Sequence, residues 1–270
     1  MSSEQRATGR HVAALPYRLV DMHCHLDRMG DADQVARDAA ERGIALFDAT
    51  VTPADAKAAA ARFTNMPNIR VGAGLHPWWI ADGRCNGNDA DRAALMAAQS
   101  RFVGEVGLDF SERYRESFSM QTEAFELIMR ACAERPRPGR VISLHAVRSA
   151  GTVLDILERY GLTHSAACII HWFSGTSDEL VRARRLGCRF SVSERMLASK
   201  KGRAYARQLP GNRLLLETDA PPELDAPYSA GALEASLEAT LDLLAELRGE
   251  DRSALAARIA TTSCELLGLI

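Results

Sequence analysis

The sequence predicts an α/β chain closed into a TIM, or (β/α)8, barrel, and three observations carry that expectation. Apolar, β-branched runs alternate with helical patterns along most of the chain, as repeated βα units around a parallel sheet require. Eight such strand candidates fit in 270 residues, a usual length for one barrel. No Gly-x-Gly-x-x-Gly follows the first strand and no Walker loop occurs, so the nucleotide-binding signatures of open doubly wound sheets are missing. We expect a leader over residues 1–16 and one barrel domain over 17–270.

The elements follow in order. Residues 1–14 are polar and lack a continuous apolar core, which reads as a flexible leader rather than a signal peptide or membrane span. Strands are expected at 18–22, 44–50, 69–75, 102–106, 141–145, 167–171, 189–192 and 214–217. The clearest helix is 177–186, where Thr176 and Glu179 have capping-box spacing and Gly187 supplies the stop. Others are expected at 33–42, 53–63, 89–100, 120–134, 151–160 and 232–248, with Pro53 after Thr52 a good first-turn proline. The loop 81–88, with Gly83, Asn86, Gly87 and Asn88, reads as a mobile insertion.

Composition, 47% hydrophobic and 25% charged, is that of a soluble globular protein. A net charge of -2 gives no global attraction to nucleic acid, so such a partner needs a local basic patch or a metal. The six cysteines, Cys24, Cys85, Cys132, Cys168, Cys188 and Cys264, form no Cys-x-x-Cys pair and sit in apolar patterns, as free thiols in a reducing cytoplasm do.

In a barrel, chemistry gathers where strands hand over to helices. If the first strand stays extended to residue 25, His23 and His25 point to one side and Cys24 to the other. His76, Glu105, His145, His171 and Asp219 stand at later strand ends, and of the seven histidines only His11 and His164 fall elsewhere. Taken singly, each histidine is equally a surface group or a buried ring bonded to a carbonyl. Taken together, they wall a pocket in which Glu105 and Asp219 are costly to bury without a cation. Two divalent ions bridged by a carboxylate remove that cost and stabilise both oxygens of a displacement.

Five segments carry a resemblance: Asp21-Met22-His23-Cys24-His25-Leu26-Asp27, Gly74-Leu75-His76-Pro77, Gly104-Glu105-Val106-Gly107-Leu108-Asp109, His171-Trp172-Phe173-Ser174-Gly175 and Leu216-Glu217-Thr218-Asp219-Ala220-Pro221. In this order they resemble the motifs of the TatD family of metal-dependent deoxyribonucleases, over about residues 20–269. The resemblance implies a TIM barrel of the metallo-dependent hydrolase type with His23, His25, Glu105, His145, His171 and Asp219 as metal ligands. It also implies two divalent ions (Mg, Mn or Zn) and hydrolysis of DNA, single-stranded or at ends, with Asp219 orienting or deprotonating water and Glu105 bridging the ions. Trp172 and residues 196–203 look most like the TatD-like member of the bacterial Qat anti-phage system, which implies a defence role beside other proteins. Val147 stands where many family members carry Arg, leaving Arg148 as the candidate for substrate phosphate; Phe110 replaces a common Tyr and Ser263 a usual Asn.

Further candidates remain two-sided. Asp27 and Asp109 either orient ligand imidazoles or serve as loop and helix-start carboxylates. His76, with Pro77, Trp78 and Trp79, either forms a base-stacking rim or packs the loop on the barrel mouth. Lys200, Lys201 and Arg203, with Arg207, follow the seventh strand and either contact phosphates or form a solvated helix face. Arg182, Arg184 and Arg185 belong to an outer helix surface. Two other readings stand beside the nuclease: a carbon-centred amidohydrolase or deacylase on the same barrel, and a structural subunit of a defence complex.

Overall fold

The computed structural model describes residues 15–223 and 225–270. The expected leader, and His11 with it, lies outside the described residues apart from its last two positions.

Strands β1 (Leu19–Cys24), β2 (Ile44–Asp48), β3 (Ile69–Val71), β4 (Ala73–Leu75), β5 (Phe102–Asp109), β6 (Arg140–Val147), β7 (Ala166–His171), β8 (Arg189–Val192) and β9 (Leu214–Leu216) pair in parallel in the orders β1-β2-β3 and β4-β5-β6-β7-β8-β9. The expected third strand is thus broken at Gly72, whose N–H bonds the Asp48 carbonyl at 2.9 Å, so β3 and β4 fill one of eight barrel positions. The seam between first and last strands is held by His25 N–H to Ala220 O at 2.7 Å and Asp219 N–H to His23 O at 2.9 Å. The result is an α/β barrel of parallel strands, as expected.

The helices are α1 (Ala32–Glu41), α2 (Pro53–Arg62), α3 (Pro77–Ala81), α4 (Gly87–Gln99), α5 (Phe118–Glu134), α6 (Ala150–Arg159), α7 (Leu162–Ser165), α8 (Ser177–Arg185), α9 (Glu194–Leu197), α10 (Lys200–Gln208), α11 (Ala230–Arg248) and α12 (Arg252–Leu267). Thr52 caps α2 ahead of Pro53, and the Thr176–Glu179 box caps α8 as its spacing implied. Residues 81–88 are no free insertion: they end α3, turn, and start α4 on a second capping box, Asn86 with Asp89.

The core alternates with the strands. Leu19, Cys24, Leu46, Val103, Leu144, Ile170 and Phe190 pack outward under the helices. Val20, Met22, Ala45, Phe47, Val141, Ile169 and Leu215 cluster inward with Cys264 and Leu267 of α12. Most of that inner group lie at the second residue of a strand, so α12 covers the N-terminal mouth and leaves the C-terminal mouth for chemistry. All six cysteines are buried free thiols.

Candidate metal centre

The strand ends at the C-terminal mouth are locally strained. Of the four non-glycine residues with positive φ among those described, Arg148 (53°), Trp172 (37°) and Asp219 (54°) each follow a barrel strand. Glu105 is placed differently from the expected strand end. β5 runs on to Asp109, and its register against β6 shifts between Val103 and Val106, a bulge that turns the Glu105 side chain into the barrel. The flanking glycines permit it: Gly107 has φ 150°, and a Cβ there would lie 2.0 Å from the His145 carbonyl oxygen.

Glu105 is 1% exposed, and its two oxygens divide the surrounding imidazoles. Oε2 faces His23 Nε2 at 3.3 Å and His25 Nε2 at 3.5 Å, and both of these nitrogens also face Asp219 Oδ1, at 3.8 and 3.5 Å. Oε1 faces His145 Nδ1 at 2.7 Å, His171 Nε2 at 2.9 Å and His76 Nε2 at 3.2 Å. Three donor groups follow, each compact enough for one ion: His23–His25–Asp219, His23–Glu105–His171 and His76–Glu105–His145.

The atoms behind the rings decide which nitrogens are free. His25 Nδ1 donates to the Ala49 carbonyl at 2.6 Å, so in the neutral ring the lone pair is on Nε2. His23 Nδ1 meets Ser143 Oγ at 2.7 Å, and its Nε2 is buried without a hydrogen-bond partner among the described residues, aimed between Glu105 and Asp219. That orphaned donor fits a divalent cation. His76 is the opposite case. Its Nδ1 accepts from Trp78 N–H at 3.1 Å, so the neutral ring carries its proton on Nε2, which faces Glu105 Oε1.

Burial is the largest influence on each group, and neighbours decide the sign. Burial raises Glu105, but His76, His171 and His23 more than offset it and hold the carboxyl well below its usual range. Asp219 is likewise held low against burial, chiefly by its bond with His25. Burial lowers His23 and His76 to about 4. His25 and His171 rise against burial to about 10 and about 9, the first through Asp219 and Glu105, the second through Glu105. The two ionised carboxylates thus hold protons on His25 and His171, and divalent ions, when bound, would supply that positive charge in the protons' place.

Further groups brace these side chains from behind. Asp109 lies 3.5 Å from His145 Nε2 and accepts from Trp78 Nε1 at 2.6 Å. Glu217, pushed by burial to about 8, accepts from Trp172 N–H at 3.1 Å and from Ser191 Oγ, with His171 Nδ1 at 3.8 Å. Asp21 ties β1 to the last strand by accepting from the N–H groups of His23 and Thr218, both at 3.1 Å. Asp27 accompanies Asp48, whose carboxylate takes the Asp27 N–H at 3.2 Å, and it stands behind His25 rather than in the cavity.

A cavity of about 180 Å³ opens over the cluster, lined by His25, His76, Glu105, His145, His171 and Asp219 together with Val51, Trp78, Trp79, Arg195, Pro221 and Pro222. His76, expected at a substrate rim, lies instead inside the donor cluster at 4% exposure. The basic candidates lie outside the cavity. Arg148 is exposed and Lys200 points to solvent at the start of α10. Lys201 Nζ donates to the Ser174 carbonyl at 2.9 Å, and Arg203 caps α9 through the Leu197 and Ala198 carbonyls at 2.6 and 3.1 Å. Backbone carbonyls at helix ends compete for such cations, and a charge run alone does not reveal that. Arg195, three residues past β8, lines the cavity, and no ligand-type pattern in the sequence marks it.

A family model described as TatD related DNase matches residues 20–268. The 3'-5' ssDNA/RNA exonuclease TatD of Citrobacter rodentium is 28% identical over 75% of this chain and 78% of its own length. The Erwinia tasmaniensis protein of the same description is 28% identical over 88% of this chain and 94% of its own. The crystal structure of YJJV, a TatD homolog from Escherichia coli k12, superposes with TM-score 0.76 at 23% identity, covering 92% of this chain and 97% of that one.

Proposed function

The chain belongs to the family of TatD-related DNases, and from that premise we propose that it is a divalent-metal-dependent exonuclease that hydrolyses phosphodiester bonds of single-stranded DNA or RNA from the 3′ end. The observation that carries this reading is the division of Glu105: one oxygen faces His23 and His25, the other His145 and His171. His23, His25 and Asp219 would hold one ion, His145 and His171 the other, and Glu105 would lie between them; Mg, Mn and Zn all suit this mixed set. When bound, the ions supply a water of lowered pKa and neutralise charge on the phosphate.

The chain's own groups do the rest. Asp219, held in the ionised form at neutral pH by its bond with His25, would orient the attacking water and accept its proton. His76 Nε2 faces Glu105 and braces the carboxylate, while Asp109 and Glu217 stand behind the His145 and His171 rings. Trp78 and Trp79 line the same cavity and offer aromatic faces to an unpaired base, and the small cavity suits one strand better than a duplex. The same reading includes the Qat-like likeness of Trp172 and residues 196–203, with a role in anti-phage defence beside other proteins, and six buried free thiols support a cytoplasmic setting. Plaque counts with and without the chain test the defence role; equal counts contradict it.

The activity test is degradation of 3′- and 5′-labelled oligonucleotides, single- and double-stranded, DNA and RNA, with Mg, Mn or Zn and with a chelator. Single strands shortened from the 3′ end, and protected by the chelator, are the expected result. Failure to cleave any nucleic acid with any metal contradicts the proposal.

A further inference from the structure

Asp219 is two-faced. Its Oδ1 looks into the donor cluster, and its Oδ2 looks away, toward Arg195 Nη1 at 3.6 Å. Arg195 is the single Arg or Lys among the residues lining the cavity. Among the described residues its guanidinium makes no hydrogen bond, and its side chain is 37% exposed, so most of its donors stay free at the mouth. Its backbone is nevertheless well fixed. Ser193 caps α9 through Met196 N–H, Ser199 caps α10 through Gly202 N–H, and Glu194 accepts from Ser236 of α11 at 2.9 Å. Topology puts it opposite the tryptophans: Trp78 and Trp79 follow the third barrel position, Arg195 the seventh of eight.

We propose that Arg195 binds a non-bridging oxygen of the substrate's scissile phosphodiester, one carboxylate's width from the metal ligands. This rests on the nuclease reading above. A guanidinium suits the task because its planar fork matches two phosphate oxygens and its charge does not titrate. Asp219 holds it aimed at the mouth while the site is free, and a phosphate then offers it stronger, shorter bonds than the 3.6 Å contact. Val147 stands two residues after His145 and Arg148 is exposed, so no other arginine lines the cavity.

The test compares wild type with Arg195→Gln, Arg195→Lys and Arg148→Gln on a labelled single-stranded oligonucleotide, with metal content measured on each purified protein. Removing a preorganised charged donor from a phosphate in its transition state costs about 100-fold in kcat/KM. Arg195→Gln should fall by about that factor with wild-type metal content, Arg195→Lys should recover part of the loss, and Arg148→Gln should match wild type. An Arg195→Gln protein within about threefold of wild type overturns the inference. So does one that loses metal in step with activity, since Arg195 would then act only by holding Asp219. A wild type inert on every nucleic acid overturns the nuclease reading itself, and the inference with it.

Discussion

The two mouths of the barrel handle buried charge in opposite ways. At the N-terminal mouth, Arg70, Arg101, Arg140 and Arg189 sit at or beside strand starts, and among the described residues every side-chain hydrogen bond they make goes to a backbone carbonyl. Arg140, 1% exposed, takes the carbonyls of Ala97, Ala98, Ser100 and Cys132. At the C-terminal mouth, His23 Nε2 is buried without a hydrogen-bond partner among the described residues, and the carboxylates of Glu105 and Asp219 converge on it. Polar groups that are fully satisfied hold a fold together, whereas those left converging and unsatisfied wait for a ligand.

If that contrast is right, substitutions at the two mouths separate stability from activity. The largest effect belongs to Asp219→Asn. Asn tolerates the positive φ of 54° at this position, so the fold should survive, while the lost carboxylate should lower kcat by about a thousandfold or more. Circular dichroism and the oligonucleotide assay check the two halves of that statement, and near-wild-type turnover by a folded protein contradicts it. Arg140→Met should do the reverse. Four carbonyls lose their donor, which costs roughly 3 kcal/mol or more and lowers Tm by about 10 °C in a domain of this size, with kcat of the folded protein unchanged. Unchanged Tm, or lost turnover below Tm, erases the distinction between the mouths.

Smaller effects sharpen it. Asp109→Asn keeps the shape of the group behind His145 and Trp78 and removes only charge, so a loss of about ten- to a hundredfold in metal affinity or activity is expected. A loss as large as that of Asp219→Asn would mean that Asp109 itself binds metal.

The same contrast explains what was legible in the sequence. The strands could be read because buried parallel strands are near-continuous apolar runs, and the ligand-type residues because they stand where those runs stop. α12 was not anticipated. Its Thr261, Thr262, Ser263 and Cys264 weaken the helical pattern, although Asp251 and Gly268 cap it clearly. The sequence leaves His76 open between rim and loop packing, because the bond from Trp78 N–H to its Nδ1 depends on the start of α3 rather than on any spacing. The bulge at Glu105 was equally hidden, though Gly104 and Gly107 marked it. The sequence leaves Lys201 and Arg203 open between phosphate contacts and a solvated face, and the Ser174 carbonyl that takes Lys201 comes close only in the folded chain.

The central claim is that Glu105 divides the C-terminal mouth into two metal positions. Elemental analysis of protein equilibrated with Mn or Zn, wild type beside Glu105→Gln, tests it most directly. We expect two ions per wild-type chain and one or none in the variant, with the helical signal of circular dichroism unchanged. Equal metal content in the two proteins, or a single ion in the wild type at saturation, would contradict it.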